Sequence, residues 1–499
     1  MRGLILKDFY SIGKSGRVLL PMVRDRHDWC ISRQRTWGVP IPIFYCKDCG
    51  KPIINDETIA KISAIFKEQG ADAWWALEAK DLIPEGLTCE CGGSEFTKET
   101  DIMDVWFDSG SSHAAVCETR PELHSPADIY LEGNDQYRGW FQSSLLTSVA
   151  TRGRAPYKTV ITHGFVIDEN AKKMSKSKGN AISPLKVADK YGADILRLWV
   201  VASDYKSDIK ISDNVLNQLS DGYKKIRNTC RYVLGNISDF DPKCDMVAFE
   251  DMTELDKWAL YKLNRLVEKA QGAYDNFEYH TLYHAVHNFC VVEMSSFYMD
   301  ILKDRLYAEK TNGVLRRSAQ TAMYIVLDTL VRLLAPVISF TAEEIWAFMP
   351  HTEGHNEKSV FFNDMPIVNP AWDDAKLGEK WDEIASLRGD VLKALENARV
   401  DKLIGKSLEA DVTIYAKGHL FELLTQMQNE LPTIFITSGA FVKAFDEAPA
   451  DSLEGEFVKV VVSKNEYKQC ERCWIYSETV GQDHSHETLC KRCIDVIEQ

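Results

Sequence analysis

The chain has 499 residues, 45% of them apolar, with 12 Trp, 19 Tyr and 21 Phe. That is ample for folded cores and excludes a disordered chain. Fifty-nine basic against 74 acidic residues leave a formal charge of −15, which excludes attraction to nucleic acid over the whole surface, so any such contact needs a locally basic face. No apolar run approaches 18 residues and no signal peptide opens the sequence, so a cytoplasmic protein with no membrane partner is expected.

Residues 1–15 match no placeable pattern. Residues 16–212 read as an α/β region, in which β-rich runs such as Ile129-Tyr130-Leu131 and Val160-Ile161-Thr162 alternate with helical patterns. Such alternation predicts a mostly parallel sheet with ligands at the carboxyl ends of its strands, where Glu132 and Lys176 fall. A Cys-containing insertion occupies residues 46–99: Cys46 and Cys49, then Cys89 and Cys91, flank an amphipathic stretch. Two readings stay open there, a tetrahedral Zn²⁺ knuckle and a reduced, metal-free hairpin. Four lysines then fall in the seven positions Lys172 to Lys178, on a polar loop that follows a β-like run. A cationic loop at a strand end is suited to neutralising a triphosphate as it breaks.

From 213 to 400 the period becomes helical. Ala259, Leu263, Leu266, Val267 and Ala270 form one apolar stripe, and Met323, Leu327, Leu330, Val331 and Leu334 form another, as in a helix bundle. Lys224, Lys225, Arg227 and Arg231 give its start a basic face. Residues 401–465 read as a small α/β junction region. The last segment, 466–499, holds Cys470 and Cys473, then Cys490 and Cys493, two C-x-x-C pairs with 16 residues between them. Four thiolates satisfy tetrahedral zinc with no open position, so this second site reads as structural. Arg472, Lys491 and Arg492 give it a basic character.

Several long words carry a family resemblance. Lys173-Met174-Ser175-Lys176-Ser177 resembles the second signature of class I aminoacyl-tRNA synthetases. Asp28 to Pro42 (DWCISRQRTWGVPIP) resembles a segment of the isoleucine, valine and leucine members of that family, while Asp104 to Gly110 (DVWFDSG) and Tyr130 to Phe141 (YLEGNDQYRGWF) are similar to the bacterial isoleucyl version. The resemblance implies the second half of a class I Rossmann-like catalytic domain, then an all-α anticodon-binding bundle and a small C-terminal zinc module. It implies activation of isoleucine by Mg-ATP and transfer to tRNA-Ile, with tRNA, isoleucine and ATP as partners. Lys173 and Lys176 would neutralise the phosphates, Lys176 contacting ATP with Ser175 and Ser177. Glu132, Asp135 and Gln136 would hold the adenylate, and Trp106 and Trp140 would wall the aliphatic pocket. Asn134 and Tyr137 stand where Ser and His often occur in the family.

The family's first signature, His-x-Gly-His, is not in the sequence; its one His-Gly pair is His163-Gly164. Nor is there room ahead of Trp29 for the family's inserted editing domain. The expectation is therefore a C-terminal portion that works with a separately encoded N-terminal half. The alternative is a non-catalytic tRNA-binding remnant.

Overall fold

The computed structural model describes residues 21–175, 179–450 and 452–498. It divides into two compact units, Met1–Phe165 with Lys206–Asp208, and Val166–Tyr205 with Ile209–Gln499. Residues 166–205, read from sequence as part of the α/β region, thus cluster with the helical part of the chain.

In the first unit, β1 (Ser32–Arg33) joins the two isoleucyl-like words that flank the insertion, because it pairs with β5 (Ile102–Met103) across it. The insertion between them has its own sheet and core. Its strands β2 (Phe44–Cys46), β3 (Pro52–Ile53) and β4 (Phe96–Lys98) are antiparallel in the order β3-β2-β4. Helix α1 (Asp56–Gln69) opens with a capping box, in which Asn55 accepts from the Thr58 backbone and Thr58 Oγ1 accepts from the Asn55 N–H. Phe44, Ile62, Trp74 and Leu82 fill the small core.

Helix α2 (Val105–Gly110) is capped by Asp104, and beyond it β6 (Ala127–Gly133) and β7 (Tyr157–His163) run parallel, with Glu132 opposite Thr162 and Gly133 opposite His163. The crossover helix α3 (Trp140–Arg152) packs Phe141, Leu145 and Val149 on Tyr130, Tyr157 and Val160. Among the described residues this sheet has two strands. Parallel strands are ordinarily covered on both faces; here Tyr130 is buried, while its neighbours Ile129 and Leu131 are 45% and 56% exposed on the opposite face.

In the second unit, β8 (Val166–Ile167) pairs in parallel with β9 (Ile209–Lys210). Then follow the helices α4 (Asp213–Asn236), α5 (Glu254–Asp275), α6 (Met299–Ala308), α7 (Val314–Leu334) and α8 (Ala375–Val400). Both apolar stripes read from sequence are buried in one continuous core. That core is pinned by a buried acid on the first turn of α5. The Asp256 carboxylate accepts from Tyr298 (2.7 Å), Ser318 (2.6 Å) and both terminal nitrogens of Arg305 (3.0 Å each). After α8, strands β10 (Ala410–Ala416), β11 (Gly439–Ala444), β12 (Leu453–Glu454) and β13 (Lys459–Lys464) form a mixed sheet in the order β11-β10-β13-β12. No helix among the described residues is long and apolar enough to cross a membrane.

Because Asp256 is fully buried and its partners include a guanidinium, Asp256→Ala leaves an uncompensated buried charge. A loss of about 3–5 kcal/mol in urea-unfolding stability is expected; a loss below about 1 kcal/mol would show that the network is not what fixes these helices.

Candidate functional site

The words quoted from the first unit converge. Asp104 accepts from the Trp106 backbone N–H (3.0 Å) and from Trp29 Nε1 (3.1 Å), and it pairs with Arg33. Burial works against its ionisation, but these donors and the nearby guanidiniums hold it below the usual carboxylate range. One carboxylate therefore ties the Asp28–Pro42 word to the Asp104–Gly110 word, 71 residues from Arg33.

Glu132 stands exposed at the carboxyl end of β6, as the strand-end rule requires. Its side chain lies 3.9 Å from His163 Nε2, on the paired strand. His163 Nδ1 donates to the Gly164 carbonyl at 2.8 Å, which leaves Nε2 turned toward Glu132. The exposed Glu132 carboxylate can take a donor, such as an ammonium or a ribose hydroxyl. Asp135 is exposed beside it and accepts from Gln136 Nε2 (3.2 Å), while Gln136 Oε1 accepts from the Trp140 N–H (2.9 Å). A Cβ on Gly139 would meet Gln136 Oε1 at 2.4 Å and Trp106 at 3.0 Å, so glycine is what lets these two side chains close together. Trp140 is stacked on Tyr130 (centroids 4.1 Å apart) and donates to the Ser109 carbonyl, so it fixes α3 on the sheet; Trp106 is 41% exposed.

Lys173 and Ser175 lie in the second unit. After β8 the chain reverses tightly, with Ala171 at φ +59°, and Lys173 bridges back to Ile167. The loop therefore begins as a miniature hairpin that exposes Lys172 and Lys173. Lys176 and Ser177 lie outside the described residues. No sequence pattern marks His163, nor Asp168 and Asn180 at the base of this loop, as functional. The available signal was position alone, since each flanks a recognisable word.

Both cysteine sets gather. In each set the four sulfurs lie within 4.8 Å of one another: Cys46, Cys49, Cys89 and Cys91, then Cys470, Cys473, Cys490 and Cys493. Individual separations are 3.6 Å for Cys46–Cys91, 3.5 Å for Cys49–Cys89 and 3.7 Å for Cys473–Cys490. A tetrahedron with metal–sulfur bonds of ~2.3 Å has edges near 3.8 Å, whereas a disulfide is ~2.05 Å, so both sets fit zinc. In each set backbone N–H groups favour the thiolate at one sulfur, while other thiols of the set are raised, Cys473 by burial. The N–H groups of Cys49 and Asp48 bring the Cys46 thiol down to about 7. Burial opposes ionisation of Cys470, but the N–H groups of Cys473, Cys490 and Arg472 outweigh it and bring that thiol down to about 6. The tight C-x-C spacing of the first set is workable because Gly92 takes φ +88° and a Cβ on Gly93 would strike Asp48 and Cys46 Sγ.

Of the basic residues around the second cysteine set, Arg472 and Arg492 are partly buried against the fold, while Lys491 stays exposed. Arg492 makes two parallel hydrogen bonds to Asp304 (2.6 and 2.7 Å), Lys491 pairs with Asp495 (2.7 Å), and Arg472 donates to the Ala308 carbonyl and to Cys493 Sγ. On α4, Lys225, Arg227 and Arg231 are exposed, and Lys224 is exposed but paired with Asp221 at 2.9 Å.

Three parts of the chain match family models of tRNA synthetases and their modules. Residues 10–212 match the family model for tRNA synthetases class I (I, L, M and V), 256–414 the anticodon-binding domain of tRNA ligase, and 468–496 the zinc finger found in FPG and IleRS. More particularly, the chain is a homologue of isoleucine–tRNA ligases. Those of Thermoanaerobacter pseudethanolicus and Caldanaerobacter subterraneus are 55% and 54% identical to it over 481 residues, which is 96% of this chain and 52% of each relative. The chain thus spans about half the length of the curated relatives it matches. Among solved structures, a leucyl synthetase of Agrobacterium radiobacter in a ternary complex with tRNA and LeuAMS shares the fold, with a TM-score of 0.52 and 22% identity over 70% of this chain and 43% of that one.

The purified chain should carry two zinc ions by elemental analysis. Cys473→Ser should reduce that to one and lower thermal stability, as expected for a structural site. A single zinc in the wild-type chain, unaffected by Cys49→Ser, would make the first set a metal-free hairpin.

Proposed function

We propose that this chain is the lysine-loop portion of an isoleucine–tRNA ligase, acting together with the remaining portion of such an enzyme. The observation that carries the reading is the match to isoleucine–tRNA ligases across 96% of the chain. In the first step an isoleucine carboxylate oxygen attacks the α-phosphorus of Mg-ATP, the bond to the β-phosphate oxygen breaks, and pyrophosphate leaves. In the second step the terminal ribose of tRNA-Ile takes the acyl group and AMP leaves.

The chain's own residues would position and neutralise rather than react covalently. Glu132, with His163 behind it, would receive the substrate's ammonium or a ribose hydroxyl, and Asp135 and Gln136 would add polar contacts. Lys173 and Lys176 would draw negative charge as it moves onto pyrophosphate, Lys176 in direct contact with ATP beside Ser175 and Ser177. Trp106 and Trp140 would line the aliphatic pocket. Both zinc ions would be structural. The exposed Ile129 and Leu131 face of β6 supports a requirement for the rest of the enzyme, since parallel sheets are ordinarily covered on both sides. Lys225, Arg227 and Arg231 on α4 would meet the tRNA backbone.

A second reading, a tRNA-binding polypeptide without catalysis, draws on one observation: the segments matching the anticodon-binding domain and the zinc finger share a single compact unit. Isoleucine-dependent ATP–pyrophosphate exchange separates the two. Exchange is expected when the chain is mixed with the N-terminal portion of a close relative, and not by the chain alone. In that mixture Glu132→Ala and Lys176→Ala should each lower exchange by about 100-fold or more. Silence in both preparations, with tRNA binding intact, would establish the second reading.

A further inference from the structure

Two side chains outside the lysine word bridge the described ends of the lysine loop, beside the backbone bonds of its opening turn. Asp168 directly follows β8, and one of its carboxylate oxygens accepts from the backbone N–H groups of Asn170 (3.0 Å) and Lys172 (2.8 Å). Its other oxygen accepts from Asn180 Nδ2 at 2.9 Å, across the mouth of the loop. Asn180 in turn uses Oδ1 to accept from the Ser175 N–H (3.0 Å), and its amide reaches the Lys173 carbonyl at 3.4 Å. The entry, the hairpin and the exit of the loop therefore meet on one acid–amide contact.

We propose that Asp168 and Asn180 form a latch that sets where Lys173 and Ser175 stand. They are positioning residues, acting on the loop backbone rather than on a ligand. The bonds are charge-assisted on the aspartate side and directional on the amide side, which suits a loop that must present cations in a fixed array. The latch also holds Ala171 in its left-handed conformation, φ +59°, which a non-glycine residue adopts only when its surroundings enforce it. That the array faces phosphates rests on the ligase reading; the latch itself does not.

The chemistry of the pair supplies its own control. In Asp168→Asn two amide donors confront each other. In Asn180→Asp two carboxylates do. In the double exchange, the amide at position 168 would accept from the Asn170 and Lys172 N–H groups and donate to the carboxylate at position 180, which would accept from the Ser175 N–H. Every contact except the long one to the Lys173 carbonyl is thereby restored, at unchanged net charge. The experiment is limited trypsin digestion of the full chain, with cuts after Lys172, Lys173, Lys176 and Lys178 followed by intact mass.

Each single variant should speed loop cleavage about 10-fold, and the double exchange should return it to within about 2-fold of wild type. Cuts outside the loop are the internal control for folding. Singles that cut at the wild-type rate, or a double variant as fast as the singles, would overturn the latch. In exchange assays on the reconstituted enzyme, the singles should raise the KM for ATP and the double exchange should restore it. A wild type without exchange would remove the ligase reading while leaving the digestion result to decide the latch.

Discussion

One face of α6 carries two carboxylates a helical turn apart, Asp300 and Asp304, and the C-terminal part of the molecule is arranged around them. Arg388 on α8, whose side chain is 3% exposed, donates to Asp300 (2.7 Å) and to the carbonyls of Ser296 (2.9 Å) and Ile434 (2.8 Å). A guanidinium that deeply buried is tolerable only if its donors are satisfied, and these acceptors come from separate parts of the chain. Burial opposes ionisation of Asp300, but Lys303 and Arg388 hold it below the usual carboxylate range. One turn on, Asp304 holds Arg492 of the zinc finger through two parallel hydrogen bonds. The helices α6 and α8, the segment around Ile434 and the cysteine finger thus share one electrostatic foundation.

That foundation changes how charge is read. From sequence, Arg472, Lys491 and Arg492 make the finger look like a basic surface. In the structure they serve the fold: Arg492 and Arg472 fasten the finger to α6, and Lys491 pairs along its own helix. A guanidinium suits this work because its planar fork matches a carboxylate while a third donor remains for a carbonyl or thiolate. Among the described residues, the exposed cations of α4 form no ion pair apart from the Lys224–Asp221 pair.

Legibility followed the range of the interaction. The two apolar stripes were readable because helical period alone decides which residues face a core, and all ten are buried. The cysteine sets were readable because metal geometry constrains spacing, although whether C-x-C could close was settled by Gly92 and Gly93. The words around Glu132 could be found but not assembled. Nothing in the order of residues says that Gln136 bonds the Trp140 backbone or that His163 faces Glu132, because both depend on the β6–β7 register and the turn into α3. Asp168 and Asn180, twelve positions apart on either side of the lysines, looked like ordinary loop residues.

The sequence by itself determined the helical faces, the Cys470–Cys493 tetrad and the words that resemble the synthetase family, since each is a local pattern set by period, spacing or residue type. Only the tertiary structure decided which charges are spent inside the protein, that the segment after Phe165 packs with the helical unit, and how the lysine loop is held. These outcomes depend on groups far apart in the chain meeting where water is partly excluded. There a hydrogen bond or ion pair gains its strength from a geometry that no linear pattern records.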